Sequence, residues 1–313
     1  MGRRQARGPR PTAERTIRFY RVDAGQDQGG NSIPFDPAPP LRFLAGRRAA
    51  GDFYLERRDG RVLCAWFDSM TPPQRVRLAN IRRNELPEVE EGGNLGPLPI
   101  RDTSGLAEHV HLRFFERNVV GAVFNFYGPR PSAFGIYHNE KTRGQFPLIS
   151  VDPLLRPNAL AALDRLEDVR MLRIKIRRSY LPAIEQADAS LGRALREAMD
   201  AGEAQQAELT LTPSAYSRDS IGGRLLQTVR RLARRRDLRD EDVRALQVKG
   251  YDPEADTVEE IDILNAHIFT TKQIVKVNER DRTLDTDAAY RAIQDAYDEL
   301  KTDIEEAASV FGY

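Results

Sequence analysis

The clearest pattern of apolar and polar positions lies between residues 109 and 130, where two apolar runs flank the pair Arg117-Asn118. Such runs favour β-strands, and a two-residue polar break between them is typical of a tight turn. We therefore predict a β-hairpin at the centre of a sheet. The hairpin also gathers polar side chains that make it a candidate site, namely His109, His111, Asn125, Tyr127 and Arg130.

The rest of the first half also has the pattern of an antiparallel sheet. Residues 16–22 read as a strand, and residues 75–83 alternate Arg with Val and Leu. The pair Asp59-Gly60 separates two β-prone runs and predicts a second hairpin. We predict a domain rich in antiparallel sheet over residues 15–153.

The N-terminal residues 1–14 carry four Arg and two Pro without an apolar period. A segment of this composition cannot bury enough apolar surface to offset the entropy of ordering. We predict a disordered basic tail.

The second half, residues 154–313, mixes strands with helices. A strand over 169–177, a helix over 181–199 and a strand near 207–213 form a β-α-β unit. Such units favour a parallel, right-handed crossover, although a split arrangement with an inserted neighbour is equally possible. The predicted fold is α+β (mixed α/β), with an antiparallel hairpin-rich N-terminal half and a β-α-β C-terminal half with covering helices.

Composition narrows the class of protein. A chain of 313 residues with 40% hydrophobic residues is long enough for one large core or two smaller ones. Its apolar runs are shorter than the roughly 18 residues that span a bilayer, so we expect no membrane partner. Cys64 is the only cysteine, which excludes intrachain disulfides and a thiolate-rich zinc site. We expect a soluble, cytoplasmic protein.

Charge is distributed unevenly along the chain although the net charge is only +1. Residues 1–83 carry 17 Lys and Arg against 8 Asp and Glu, whereas residues 250–313 carry 6 against 16. This separation predicts either an anionic partner for the basic part or charge pairing between the two ends of the chain, within or between subunits.

Two basic surfaces, together with the basic tail, are candidates for contact with nucleic acid. On the strand at 169–177, basic side chains alternate with the apolar face, and an amphipathic helix over 221–238 is rich in arginine. Arginine side chains on one face can contact successive phosphates. The candidate contact residues are Arg173, Lys175, Arg177, Arg224, Arg230, Arg231, Arg234 and Arg235.

The acidic helix predicted over residues 287–310 supports a different interpretation of these arginines. If it packs beside the basic helix, the opposite charges neutralise each other, within one molecule or across a subunit interface. The protein is then an assembly component, and a homo-oligomer is the expected partner.

The central hairpin offers a third class of function. Glu108, His109 and His111 are the residue types that bind metal ions, and two histidines two apart on a strand share a face. A third ligand is not evident, so a solvent-exposed polar face is the alternative. Asn125 and Arg130 interrupt apolar strands and suggest a pocket at the end of the hairpin. No nucleophile elbow, phosphate-binding loop or dinucleotide motif is present, and we assign no catalytic residue, metal or cofactor.

One family resemblance is carried by scattered positions. They are Asn84-x-Leu86-Pro87, Gly105-Leu106-Ala107-Glu108-x-x-His111, Asn118, Gly121, Gly128-Pro129 and the stretch Asp285 to Tyr297 with Tyr290. In these the chain resembles uncharacterised bacterial proteins found in mobile and phage-defence gene neighbourhoods. The resemblance implies an antiviral context and no mechanism.

The leading hypothesis from the sequence is a non-enzymatic, cytoplasmic nucleic-acid-binding module. The alternatives are a protein–protein assembly component without nucleic-acid binding and a metal-dependent hydrolase or nuclease that uses Glu108, His109 and His111.

Overall fold

A computed structural model describes residues 10–25, 27, 33–57, 60–213, 222–233, 243–254, 256–263 and 266–309. These residues form 14 strands and 8 helices, and the α+β class predicted from the sequence is confirmed. In chain order the elements are β1 (Thr12–Asp23), α1 (Ala38–Ala49), β2 (Tyr54–Glu56), β3 (Val62–Ser69), β4 (Arg75–Arg82), β5 (Val89–Glu91), β6 (Asn94–Gly96), β7 (Leu106–Phe114), β8 (Val119–Val123), α2 (Ser132–Thr142), β9 (Ser150–Pro153), α3 (Pro157–Arg165), β10 (Asp168–Arg177), α4 (Leu181–Ala187), α5 (Ala189–Ala201), β11 (Gln206–Leu211), α6 (Gly222–Ala233), β12 (Val243–Asp252), β13 (Thr257–Asp262), β14 (Phe269–Val275), α7 (Thr286–Glu299) and α8 (Lys301–Ser309).

The chain divides into two compact units. Of the described residues, the first unit comprises those up to 151 and 269–301, and the second comprises those within 152–268 and 302–309. The break at 151/152 lies close to the predicted boundary at 153. The assignment of residues 269–301 to the second domain was wrong, because β14 pairs with β1 and α7 packs on the same sheet. Pairing between distant segments leaves no local signature in the sequence.

The first unit is built on one large sheet in the order β14-β1-β8-β7-β4-β3-β2, with β9 pairing with β1 beside this path. The ladders along this path are antiparallel. The predicted central hairpin is confirmed as β7–β8, and Arg117 and Asn118 have φ of +54° and +58°. A two-residue turn with both central residues at positive φ matches the twist of the strands it joins.

The two faces of this sheet bury different elements. On one face Tyr20, Val110 and Leu112 join a core that also contains Leu41 of α1 and Phe134 of α2. The other face is covered by α7, where Phe19 packs against Tyr297 with ring centroids 6.2 Å apart.

β1 begins earlier than the sequence predicts. Residues 1–9 of the predicted basic tail lie outside the described residues, but Thr12, Ala13 and Glu14 pair with β14. Their partner strand comes from the far end of the sequence, so the tail prediction was wrong for these three residues.

The second unit has a four-stranded sheet in the order β11-β10-β12-β13. Its helices cover one face, where Leu172, Ile174 and Ile176 of β10 are buried. The predicted parallel crossover is wrong, because β10 and β11 pair antiparallel. The predicted single helix is divided at Asp188 into α4 and α5. The helices α4 and α5 pack on each other, so β11 begins at the end of the sheet where β10 ends. The hydrogen bond from Arg178 N–H to Gln205 C=O, at 2.9 Å, joins the two strands at this end.

The predicted acidic helix is also two helices, α7 and α8, which meet at Leu300. Asp285 caps α7 by accepting a hydrogen bond from the N–H of Ala288 at 2.8 Å. Within the first unit, α7 packs on β14, β7, β8 and β1. None of the described helices combines the length and apolar character that crossing a bilayer requires.

Candidate functional site

The first sheet contains a place where one strand ends before its two neighbours do. β8 pairs with β1 from Ile17 to Arg21 and with β7 from Leu112 to Phe114, and it ends at Val123. β1 begins at Thr12 and β7 at Leu106, so both run beyond the end of β8. Where a regular sheet lacks one strand, the flanking strands are about 9.6 Å apart, which is two inter-strand spacings. We call the space between β1 and β7 at this place the slot.

The backbone of β1 directs hydrogen-bonding groups into the slot. Phe124 N–H donates to Thr16 C=O at 2.8 Å on the β8 side, whereas Lys276 N–H donates to Pro11 C=O at 2.8 Å on the β14 side. Successive residues of a strand direct these groups to opposite edges, so even-numbered residues of β1 face β8. Glu14 lies beyond the end of β8 and therefore presents its N–H and C=O to the slot.

The backbone of β7 does the same from the opposite side. Phe115 N–H donates to Val119 C=O of the β8 side at 2.8 Å, whereas Phe114 N–H donates to Gln74 C=O of the β4 side at 3.0 Å. Odd-numbered residues of β7 therefore face β8. Beyond the end of β8 these are Ala107 and His109, whose backbone groups face the slot.

Two side chains occupy part of this hydrogen-bonding capacity. Asn125 Nδ2 donates to His109 C=O at 3.0 Å and to Glu108 Oε2 at 3.3 Å. On the other side, the guanidinium of Arg15 donates to Glu14 C=O at 2.9 Å. Side chains thus replace the missing strand at two carbonyls that face the slot, as expected because unpaired backbone carbonyls are costly.

The slot opens into a cleft of about 700 Å³. Two aromatic side chains at its mouth, Phe126 and Tyr127, are 58% and 54% exposed, which is unusual for adjacent large rings. The guanidinium carbon of Arg282 lies 4.2 Å from the centroid of the Tyr127 ring. The cleft is lined by Glu14, Arg15, Thr16, Ala107, Glu108, His109, His111, Val123, Phe124, Asn125, Phe126, Tyr127, Arg280, Asp281, Arg282, Thr283 and Leu284.

The two histidines of the predicted site lie at the inner end of the cleft. His111 is 1% exposed, and its ring makes an edge contact with Tyr290 at 5.3 Å between centroids. Burial is the main reason that the pKa of His111 is lowered to about 3, with smaller contributions from the neighbouring His109 and Arg77. Burial also lowers the pKa of His109. Both imidazoles are therefore neutral at physiological pH.

A hydrogen-bonded group of residues supports this end of the cleft. Asp68 accepts two hydrogen bonds from Arg77, both at 2.8 Å, and a third from the hydroxyl of Tyr290 at 2.8 Å. Burial and the Asp68 carboxylate raise the pKa of Tyr290 far above its ordinary value. The phenol therefore stays protonated, and Tyr290 is fixed against His111.

Five of the six residues predicted to form a pocket line this cleft: Glu108, His109, His111, Asn125 and Tyr127. Arg130 is not part of its lining. The guanidinium carbons of Arg130 and Arg18 each lie 4.6 Å from the centroid of the Phe124 ring. Among the described residues, no three His, Cys, Asp or Glu side chains are arranged to hold a metal ion.

The basic strand face predicted to bind nucleic acid is engaged in pairs within its own sheet. Glu208 accepts from Arg173 at 2.7 Å and lies 3.0 Å from Lys175. These two cations lower the pKa of Glu208. Arg173 also donates to Gln247 at 3.3 Å. Arg177, at the end of β10, is exposed.

The basic helix is held in a similar way. Arg224 donates to both carboxylate oxygens of Asp188, at 2.9 and 2.7 Å. Arg230 donates to three backbone carbonyls near the end of α3, those of Leu163, Asp164 and Leu166, at 2.7 to 3.3 Å. Arg231 contacts its own helix. Arg234 and Arg235 lie outside the described residues.

Asp188 explains why Arg224 lies where it does. This carboxylate is buried at the break between α4 and α5, and it caps α5 by accepting from the N–H groups of Ser190 and Leu191 at 2.9 and 3.0 Å. The guanidinium of Arg224 and these N–H groups hold the pKa of Asp188 well below its usual range. Arg224 therefore compensates a buried charge.

Sequence reasoning missed half of the cleft. Glu14 and Arg15 were assigned to the tail or its border, and the segment from Arg280 to Leu284 was assigned to the second domain. The adjacent aromatic residues Phe126 and Tyr127, which follow the apolar strand β8 after two residues, were a usable signal, because neighbouring rings near a strand end have few partners to bury them. The pairing of β1 with β14, which places these segments together, had no local signal.

No protein-family model matches the chain, and no curated protein matches it. The chemistry of the cleft residues is therefore the basis of the function proposed below.

Proposed function

We propose that this protein is a protein-recognition component that binds a segment of a partner polypeptide in extended conformation, as an added strand in the slot. The observation that carries the proposal is the slot itself, bordered on both sides by strand backbone. The slot favours a protein–protein assembly component over the nucleic-acid-binding module, which was the leading hypothesis from the sequence.

The slot offers a backbone pattern that an extended peptide matches. An inserted strand would hydrogen-bond along both of its edges, at the N–H of Glu14 in β1 and at the backbone of Ala107 in β7, beyond the carbonyls that Arg15 and Asn125 already occupy. Recognition by strand addition obtains affinity from main-chain hydrogen bonds and specificity from alternate side chains. Each such bond adds about 0.5–1.5 kcal/mol net.

The mouth of the cleft adds contact surface to the proposed interface. Phe126 and Tyr127 provide exposed rings, and aromatic residues are enriched at protein interfaces because they bury large areas at little entropic cost. Arg282 lies on the Tyr127 ring and joins the two segments that border the mouth.

Nucleic-acid binding by the predicted arginines stays a prediction and receives less support. Arg224 would have to leave the buried carboxylate of Asp188, and Arg173 and Lys175 would have to leave Glu208. Removing the partner of a buried charge is costly. The defence context implied by the resemblance also stays a prediction.

The proposal is tested with the full-length protein and a displayed library of random octapeptides. Ala107→Pro removes one N–H that faces the slot and leaves the β4 side of β7 intact, whereas Ala107→Val keeps that N–H and is the matched control. We expect the native protein to enrich a set of binding octapeptides from the displayed library. Selected peptides, measured by fluorescence anisotropy, should bind Ala107→Pro about tenfold more weakly and Ala107→Val about equally.

Amide hydrogen exchange checks the location and the folding of both variants. Peptide binding should slow exchange at Glu14 and Ala107 and leave Arg177 unchanged. Absence of enrichment, or peptides that bind native protein and a folded Ala107→Pro equally, would overturn the proposal. So would binding of a mixed-sequence single-stranded oligonucleotide to the slot without any peptide binding.

A further inference from the structure

The face of the first sheet that carries His111 is covered by α7 over β14, β1, β8 and β7, and it continues across β4, β3 and β2. Trp66 pairs with Arg77 and Arg77 pairs with His111, so these side chains share this face. Tyr54 lies there too, because it pairs with Cys64, two residues before Trp66. Tyr54 is 40% exposed, and Trp66 and Arg77 are half-buried. This part of the sheet is therefore open to a partner.

Arginine side chains stack on the aromatic rings of this region. The guanidinium carbon of Arg83 lies 4.5 Å from the ring centroid of Tyr54. That of Arg48, from the last turn of α1, lies 4.7 Å from the centroid of Phe53 and 4.8 Å from that of Trp66. The ring centroids of Phe53 and Tyr54 are 4.4 Å apart. We call these residues the arginine–aromatic surface: Arg48, Phe53, Tyr54, Trp66, Arg77 and Arg83.

Two of these arginines carry a charge that no carboxylate balances among the residues that the structure describes. Arg48 donates to Cys64 Sγ at 3.2 Å and to Ala65 C=O at 3.1 Å. Burial raises the pKa of the Cys64 thiol, so this acceptor is neutral. Arg83 Nε has no hydrogen-bond partner within the described part of the chain. The surface therefore has positive charge that an anionic partner can neutralise.

Two carboxylates lie on the same side of these strands. Asp68 accepts two hydrogen bonds from Arg77 and one from the hydroxyl of Tyr290, so its charge is offset within the protein. Glu56 is exposed at the end of β2 and shares the face of Tyr54 by strand alternation. Glu56 opposes an anionic partner, which makes it useful as a test.

Arginine stacked on an aromatic ring suits contact with an unpaired nucleic-acid strand. The ring holds the guanidinium plane in one orientation, so its outer N–H groups can donate to phosphate at low entropic cost. Exposed aromatic rings and guanidinium planes both stack on unpaired bases. Bases within a duplex already stack on each other, and this geometry therefore favours a single strand.

We propose that the arginine–aromatic surface binds single-stranded nucleic acid, with bases stacked on Tyr54 and phosphates held by Arg48 and Arg83. These arginines differ from those that the sequence predicted for this role, and the slot takes no part in the site. The proposal gives an anionic partner to the excess of basic residues in the stretch 1–83.

Trp66, the only tryptophan, lies within the surface and reports binding in the full-length protein. Titration with oligothymidylate and with oligouridylate should quench its fluorescence. Heparin and polyglutamate, which carry negative charge without bases, should leave it unchanged. Tighter binding of one oligonucleotide identifies DNA or RNA as the ligand, and either result supports the proposal.

Arg83→Gln and Arg82→Gln form a matched pair, because they remove the same charge from neighbouring residues on opposite faces of the sheet. Arg83→Gln should bind oligothymidylate about fivefold more weakly, whereas Arg82→Gln should bind it as the native protein does. The slope of log K against log salt should also fall by about 0.7 in Arg83→Gln, the contribution of one phosphate contact with a single strand.

Two further variants test the stacking and the charge separately. Tyr54→Ala should weaken binding about tenfold through lost base stacking. Glu56→Gln should strengthen binding, because it removes a carboxylate that opposes the phosphates.

Three results would overturn the proposal. Equal binding by Arg83→Gln and Arg82→Gln would remove the site from this surface. Equal quenching by heparin and by the oligonucleotides would mean that the protein binds polyanions without reading bases. Absence of oligonucleotide binding at low salt would leave no ligand for the surface. None of these results bears on peptide binding in the slot, so the two proposals stand or fall separately.

Discussion

At the scale of single residues, the inner end of the cleft shows how burial determines chemistry. His111 is enclosed by Tyr290 and His109, and burial lowers its pKa to about 3, so the folded protein keeps this imidazole neutral. Asn125 occupies the border of the same cleft, where its amide donates to a backbone carbonyl in place of a strand. Both side chains line the cleft.

The neutral state of His111 predicts a pH dependence of stability. In the unfolded chain a histidine takes up a proton below about pH 6.5, whereas folded His111 does not until pH approaches 3. Unfolding therefore binds a proton, and His111 makes the free energy of unfolding fall as pH decreases through this window. His111→Phe, which keeps an aromatic ring beside Tyr290, should show a shallower decrease.

Urea unfolding at pH 7, 5.5 and 4 measures the effect. The buried His138, whose pKa is also lowered, remains in both proteins and contributes equally. An identical pH dependence in native protein and His111→Phe would contradict a neutral, buried His111.

At the scale of elements, α7 depends on a glycine in the strand beneath it. Gly121 is buried in β8, and a Cβ there would lie 2.5 Å from Ile293 Cγ2, closer than real contacts allow. The glycine lets the helix approach the sheet where Phe115 and Tyr297 stack with centroids 4.0 Å apart. Close packing of α7 keeps Tyr290 in place beside the slot.

Gly121→Ala should therefore destabilise the first unit by about 1–3 kcal/mol through overpacking. Gly46→Ala, at a helical position with nothing within 4 Å of the added methyl group, is the control and should be neutral or slightly stabilising. In a double-mutant cycle with Ile293→Ala, the double variant should lose less stability than the two single variants lose together, since the alanine at 293 removes the clash. Strict additivity in urea unfolding would rule out this contact.

The same scale marks the limit of what the sequence could predict. Local periodicity and turn residues predict the β7–β8 hairpin, the strand β4 and the helical character of α6 and α7. The structure contains each of these elements. The antiparallel pairing of β10 with β11 depends on the break at Asp188, a capping residue that lies within an otherwise helical pattern. The register of Glu14 with Glu108 depends on two ladders through β8, so neither residue alone signals the slot.

At the scale of the whole molecule, the chain forms two units with separate hydrophobic cores. The second unit is largely one continuous stretch, residues 152–268, between two parts of the first unit. Units with their own cores are expected to unfold as separate cooperative transitions. Trp66, the only tryptophan, lies in β3 of the first unit, so its fluorescence reports on that unit alone.

Asp188→Asn tests this division. Asparagine still caps α5, so the variant removes mainly the charge pair with Arg224, and because that side chain is 65% exposed we expect a loss of about 1 kcal/mol in the second unit. The pKa of Asp188 is depressed in the folded protein, so its contribution is present above the ordinary aspartate pKa of about 4 and is lost as pH falls below it. The difference between native protein and variant should therefore disappear under strongly acidic conditions.

At pH 7, urea unfolding followed by far-ultraviolet circular dichroism should show an earlier phase in the variant, while the Trp66 fluorescence midpoint stays unchanged. If both midpoints fall together, the two units unfold as one.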